Sequence, residues 1–140
     1  NDHSIFFAVK KINNIKLKKI KNNYKKNKKL FKDYFKYYDI LTKKINKSII
    51  KHENQHIFIF GAHVFSQYLI SSGLDQDKII YILDNDKRKQ NLRLYGTKLS
   101  VKSPNILKKF KSPLVILKAG VYNDEIKKQL FETQKKKDPK

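Results

Sequence analysis

The chain has 140 residues, which is enough for one domain with a hydrophobic core and an additional segment, but not for two large domains. Its formal charge is +21, from 33 basic and 12 acidic residues, and it contains no cysteine, which excludes disulfides and thiolate metal sites. No apolar stretch approaches the roughly 20 residues that a membrane span needs, so we expect a cytoplasmic protein without a membrane partner.

The positive charge is weak evidence for a nucleic-acid partner. Lysine supplies nearly all of it, because Arg88 and Arg93 are the only arginines. The lysines accompany many asparagine, isoleucine, tyrosine and phenylalanine residues, all of which have A/T-rich codons, so base composition explains much of the charge. Arginine is the residue best suited to bidentate contacts with phosphate and guanine. A basic nucleic-acid-binding adaptor is therefore the less favoured alternative.

The N-terminal part of the chain divides into three segments. Residues 4–9 are a short apolar run rich in β-formers, and we expect residues 1–10 to end a preceding catalytic domain. The chain has no methionine, which suggests a segment excised from a longer protein. Residues 10–29 are mostly lysine and asparagine, which predicts a solvated linker or a weak helix. Apolar residues then recur at spacings of three and four over residues 28–52, so residues 11–56 are interpreted as a lysine-rich linker and amphipathic helical arm.

Residues 57–131 alternate between apolar runs and helical patterns. The predicted strands are residues 57–60, 79–83, 99–101 and 114–117. The predicted helices are residues 64–72 with Gly73 as C-cap, a helix capped by Ser103 with Pro104 at its first position, and a helix capped by Asn123. Continuous apolar runs are typical of strands buried on both faces. The order predicts an α/β fold, a Rossmann-like open, mostly parallel sheet with helices on both faces, followed by a charged tail at residues 132–140.

Polar residues follow the predicted strands at the edge where ligands of such sheets bind. The turn Gly61-Ala62-His63 could present helix N-terminal amides to an anion, although a side chain at position 63 should obstruct a pyrophosphate, so tight NAD or FAD binding is not expected. Asp84 lies where Rossmann domains bind a ribose hydroxyl, but an aspartate there can equally cap backbone amides. Lys89, in the basic run that follows, could receive a phosphate.

No catalytic or metal-binding group is predicted. The histidines His3, His52, His56 and His63 have no spacing that assembles a metal site, and no serine has the context of a nucleophile elbow. His63 is the best single candidate for acid–base chemistry, but no orienting carboxylate is paired with it in the sequence. A histidine packed in a turn is the more common case.

The order of several short motifs resembles one family. The motifs are Ile59-Phe60-Gly61-Ala62-His63, Tyr81-Ile82-Leu83-Asp84-Asn85-Asp86 with Lys89-Gln90, Tyr95-Gly96-Thr97, Ser103-Pro104 and Gly120-Val121-Tyr122-Asn123-Asp124-Glu125-Ile126. Together they resemble the C-terminal domain of S-adenosylmethionine-dependent sugar C-methyltransferases. The first residues, Asn1-Asp2-His3-Ser4, are similar to the H-G-G-S segment that ends the family's catalytic domain, with both glycines replaced. His63 and Asn91 replace family glycines, and Tyr95 stands where proline is usual.

The resemblance implies a division of labour within a longer enzyme. The methyl donor S-adenosylmethionine, a zinc ion and the catalytic residues would belong to an N-terminal methyltransferase part that this chain lacks. This segment would bind no cofactor, would not be catalytic alone, and would close over a nucleotide-linked sugar as the substrate-side domain. The residues expected to bind that substrate are Gly61, Ala62, His63, Asp84, Lys89, Thr97, Tyr122 and Asn123. A nucleotide-binding module of another polysaccharide-biosynthesis enzyme, or a structural remnant with an empty cleft, remain alternatives.

Overall fold

The computed structural model describes residues 8, 10, 11 and 21–136. Most of the strand predicted at residues 4–9, most of the linker before residue 21, and His3 lie outside the described residues. Within the described part the α-helices are α1 (Tyr24–Lys51), α2 (Val64–Ser71) and α3 (Asn123–Lys135). The strands are β1 (Ile57–Phe60), β2 (Ile79–Leu83), β3 (Val101–Lys102) and β4 (Leu114–Leu117), and 3₁₀ helices span Gln76–Lys78, Pro104–Lys109 and Gly120–Tyr122.

The four strands form one parallel sheet in the order β3-β2-β1-β4. β1 is central, and its Ile57 lies opposite Ile79 of β2 on one side and Leu114 of β4 on the other. The chain builds outward from β1 through β2 to β3, and then returns to add β4 on the opposite side of β1. The predicted parallel α/β architecture is thus confirmed.

Alternate side chains of β1 enter two separate hydrophobic clusters, one on each face of the sheet. Ile57 and Ile59 pack in the cluster that contains residues of α1 and α2. Phe58 and Phe60 pack in the cluster formed with the Pro104–Lys109 helix and α3. Helices therefore cover both faces, which explains why β1 is apolar at every position and fully buried.

The two halves of α1 have different environments. The second half contributes Tyr38 and Ile49, each 2% exposed, to the core beside the sheet. Asn46 fixes this half by donating to the Gly73 carbonyl at 2.8 Å and accepting from the Asp75 amide at 3.0 Å. The first half starts at Tyr24, earlier than predicted, and leaves its aromatic side chains exposed, Phe31 by 64%. Within the described residues, no helix has both the length and the apolar character required to cross a membrane.

Two of the predicted local features are corrected by tertiary contacts. β3 occupies Val101–Lys102 instead of residues 99–101, because the segment just before it folds into a hairpin: Leu99 accepts from the Leu94 amide and Ser100 bridges Arg93. Asn123 does not cap α3 but is its first residue, and its side-chain oxygen accepts the amide of Ala119 at 2.7 Å.

Two other features of the C-terminal half bear on the sequence predictions. The predicted cap by Ser103 is confirmed: its hydroxyl accepts from the Asn105 amide at 3.3 Å, and Pro104 begins the helix, which is a 3₁₀ helix. α3 continues to Lys135, past the predicted start of the tail at residue 132. Gln134 in its last turn donates to the Leu107 carbonyl, so this part of the helix is joined to the domain.

Candidate functional site

A cleft of about 580 Å³ lies at the carboxyl ends of β1, β2 and β4, and we call it the main cleft. Its walls are Gly61 and residues 63–65 after β1, Asp84, Asn85 and Lys89 after β2, and the loop at residues 119–122 after β4. The cleft lies where the chain order of the strands reverses around β1, which is the place where open α/β sheets bind ligands. Its volume is within the range of small-molecule sites.

Asp84 ties the ends of β1 and β2 together. Only 8% of this residue is exposed, and one carboxylate oxygen, Oδ2, accepts from the Ala62 amide at 2.8 Å and from the Lys89 ammonium at 3.2 Å. The other oxygen, Oδ1, accepts from the Asp86 amide at 2.9 Å. Of the two sequence interpretations of Asp84, the structure therefore shows the capping of backbone amides. Its carboxylate positions the glycine turn and Lys89 at the edge of the cleft.

The basic residues after β2 have different surroundings. Arg88 is 89% exposed at its side chain and pairs with Asp86, whose pKa is lowered to about 2 by the hydrogen bonds from Arg88. Lys89 instead lines the main cleft and reaches Asp84. Lys89 is thus the member of this run that the fold brings to the candidate site.

His63 closes the glycine turn with its own side chain. Its Nδ1 accepts from the Phe65 amide at 3.2 Å, so the histidine is the N-cap of α2. Burial lowers the pKa of His63 below its ordinary value of 6.5, Lys89 lowers it further, and Asp84 opposes them. The imidazole is therefore neutral near pH 7, with Nδ1 as acceptor and the proton on Nε2.

Gly61 cannot be replaced without a collision with this ring. Its φ angle is +104°, a region that side-chain-bearing residues rarely adopt. A Cβ atom at this position would also lie 2.1 Å from Nε2 of His63. The backbone conformation therefore favours glycine at position 61, and a residue with a Cβ would in addition require the imidazole to shift.

A second, smaller cavity of about 230 Å³ lies on the other side of His63, and we call it the side cavity. Ala62 and Gln67 line it from the α2 side, and the stretch at residues 92–95 lines it from the opposite side. His63 and Lys89 line both the main cleft and the side cavity. These two side chains therefore form the wall between the two spaces.

The fold brings together most, but not all, of the residues expected to bind substrate. Five of them line the main cleft: Gly61, His63, Asp84, Lys89 and Tyr122. Ala62 lines the side cavity. Thr97 lies in the hairpin before β3, where its hydroxyl donates to the Leu94 carbonyl, and it lines a separate surface depression. Asn123 is committed to the Ala119 amide.

Other residues that line the main cleft were not singled out from the sequence. Val64 and Phe65 begin α2 just after the glycine turn that follows β1, so the rule that ligands bind at strand ends could have found them. Lys118 follows β4, and its ammonium lies over the ring of Phe65 at 5.8 Å and over that of Tyr37 at 5.3 Å. This cation–π contact joins α1 to the wall of the cleft, and no local sequence pattern indicates it because the rings are far apart in the chain.

Comparison with known proteins gives one family. The family model described as the C-methyltransferase C-terminal domain matches residues 9–138, which is nearly the whole chain. No curated protein and no solved structure matched the chain.

Proposed function

The chain belongs to the C-methyltransferase C-terminal domain family, and from this premise we propose that it is the substrate-side domain of an S-adenosylmethionine-dependent methyltransferase that acts on a nucleotide-linked sugar. The observation that carries the proposal is the main cleft, where residues from three strand ends converge. A cleft with apolar walls and a few convergent polar groups is the usual form of a small-molecule site.

The sheet supports a Rossmann-like interpretation of this domain. Its order, β3-β2-β1-β4, is that of the first four strands of the doubly wound dinucleotide-binding sheets. Such sheets place a nucleotide across the point where the strand order reverses, which here is the junction of β1 and β4. Lys89, in the loop after β2, offers an ammonium to a phosphate in the main cleft, and Tyr122 offers a half-exposed ring for packing against a sugar or base.

The donor groups of this chain do not fit the zinc ion that the sequence resemblance implies for the whole enzyme. The chain has no cysteine, and the described residues contain no cluster of three or more His, Asp or Glu side chains that could hold a metal. We therefore assign zinc, the methyl donor and the methyl-transfer step to the catalytic domain, which is the proposed partner of this one. The cytoplasmic location expected from the sequence belongs to the same proposal.

A titration of this chain with nucleoside diphosphates and nucleotide-sugars, followed by amide NMR shifts at near-physiological ionic strength, tests the proposal. We expect shifts at Gly61, at Lys89 and in the loop at residues 120–122. Lys89→Gln should weaken binding about tenfold, the effect of losing one charge-assisted hydrogen bond. Lys87→Gln is the matched control, because it removes the same charge from an exposed neighbour in the same loop.

Two outcomes would contradict the proposal. If both lysine variants weaken binding equally, the nucleotide is held by the overall charge of +21 and not by the cleft. If no shift occurs at millimolar nucleotide-sugar, either alone or with the catalytic domain added, the domain has a structural role only.

A further inference from the structure

The main cleft and the side cavity are adjacent spaces that share two lining residues. The wall between them consists of His63 and Lys89, both of which line the two spaces. Lys89 is held in place by its ion pair with Asp84. At about 230 Å³, the side cavity is smaller than ordinary ligand sites, so it is more suitable as an extension of the main cleft than as a site of its own.

The ring of His63 occupies the space directly outside the glycine turn. Its Nε2 and Cδ2 atoms lie 2.1 and 2.5 Å from the position of a Cβ on Gly61. In open α/β sheets this is the space where a phosphate group approaches the backbone at the start of a helix. The imidazole therefore fills the position that a pyrophosphate would need in order to cross the turn.

Four amides of the turn and of the first turn of α2 also donate to groups of the protein itself. The Phe65 amide donates to Nδ1 of His63, and the Ala62 amide donates to Oδ2 of Asp84. The Gly61 amide donates to the Leu83 carbonyl at 2.7 Å, and the Ser66 amide donates to the His63 carbonyl at 3.1 Å. A phosphate at this turn would have to displace a side chain in order to gain hydrogen bonds from the Ala62 and Phe65 amides.

We infer that His63 is a specificity-determining residue: its ring takes the place of a phosphate at the glycine turn and confines the ligand to the main cleft. The identity of that ligand rests on the function proposed above. The obstruction of the glycine turn by the His63 ring rests on the geometry of the turn alone. Ligands whose pyrophosphate must cross the turn, as in dinucleotides, are excluded. A nucleotide-sugar is accepted with its phosphates inside the main cleft, between Lys89 after β2 and the loop at residues 119–122 after β4.

NAD is a suitable probe, because it places a pyrophosphate over the glycine turn in sheets of this kind. The chain and three variants are titrated with NAD while the amide shifts of Ala62, Phe65, Gln67 and Arg93 are followed. His63→Gly removes the ring and frees the Phe65 amide. His63→Phe keeps a ring over Gly61 but loses the helix cap, and His63→Ser removes the ring while keeping a cap.

The glycine variant should bind NAD at least about tenfold more tightly than the phenylalanine variant, with new shifts in the side cavity. It gains space for the pyrophosphate and a hydrogen bond from the Phe65 amide to this charged group. The serine variant should lie between them, and the unmodified chain should resemble the phenylalanine variant. Equal responses of all four proteins, including no response in any of them, would overturn the inference, as would NAD shifts in both cavities of the unmodified chain. Nucleotide-sugar binding by the unmodified chain is measured separately, so failure of the proposed function leaves this comparison intact.

Discussion

The carboxylate of Asp84 accepts the backbone amide of Ala62 at 2.8 Å, across 22 residues of sequence. This bond joins the carboxyl ends of β1 and β2 at the point where the main cleft begins. The same carboxylate accepts from Lys89 and from the Asp86 amide, so a single buried side chain organises the turn and the loop that form two walls of the site.

Replacement of Asp84 should destabilise the whole domain. Asp84→Ala leaves the amides of Ala62 and Asp86 without their acceptor, and we expect a decrease of about 2–3 kcal/mol in the free energy of unfolding. Asp84→Asn can satisfy only one of these amides well, because its NH₂ group faces the other donor, so about half of that loss should remain. Urea unfolding measures both values. A change below about 0.5 kcal/mol in the alanine variant would contradict the proposed role of the carboxylate.

Gly61 and His63 should show a strong energetic coupling. Gly61→Ala places a Cβ at an unfavourable φ and against the imidazole, whereas in the His63→Gly background only the backbone strain remains. We therefore expect the glycine-to-alanine change to be more destabilising by at least about 1 kcal/mol when His63 is present. A double-mutant cycle by urea unfolding gives this difference. Additive effects would mean that the ring moves away from Gly61 at little cost.

His63 should make stability fall on acidification. Because its pKa is lowered in the folded state, the unfolded chain binds the proton more readily, so stability rises with pH. The contribution is complete above the ordinary pKa of about 6.5 and is lost as the pH falls through the lowered folded value. Protonation of Nδ1 also removes the acceptor for the Phe65 amide.

The pH dependence is measured as the midpoint of urea unfolding at pH 7.5 and pH 5.5, in the unmodified chain and in His63→Asn. Asparagine keeps a helix cap without a titrating group, so it is the matched control, and the other histidines contribute equally to both proteins. We expect the unmodified chain to lose more stability on acidification than the asparagine variant. Equal losses of stability in the two proteins would mean that groups other than His63 cause the pH dependence.

Thr42 is a position where a substitution should stabilise the protein. It is 1% exposed in the packed half of α1, and it carries the buried side-chain oxygen that has no hydrogen-bond partner within the described residues. Thr42→Val keeps the shape and removes the unsatisfied hydroxyl, so the free energy of unfolding should increase by about 1 kcal/mol. The thermal midpoint should rise accordingly. Thr42→Ser, which keeps the hydroxyl and loses the methyl group, should lower it. A lower midpoint in the valine variant would show that the hydroxyl has a partner in solution.

Sequence patterns correctly predicted the features of this fold that depend on residues close together in the chain. The apolar runs of β1 and β4 were recognised because strands covered on both faces have no polar positions. The cap by Ser103 was recognised because a hydroxyl that accepts an amide two residues later requires only neighbouring residues. The family was recognised from the order of motifs, and the family model confirmed it.

The remaining features depend on partners that are distant in sequence. Asn123 has the composition of a helix cap, but a 3₁₀ turn places the amide of Ala119 within reach of its side chain. The obstruction at position 63 was expected, but the contact of its ring with Gly61 follows from the extended backbone of His63, which the sequence does not specify. Lys118 meets Tyr37 only after α1 has docked.

The central position of β1 also has a consequence for the order of assembly during synthesis. β1 leaves the ribosome first, whereas β2 and β4, which pair with its two sides, begin at residues 79 and 114. Until then Ile57–Phe60 is an uncharged, apolar strand segment with two unpaired edges. The lysine-rich helix α1 precedes β1 and leaves the ribosome before it, so its positive charge should repel other nascent chains during this interval.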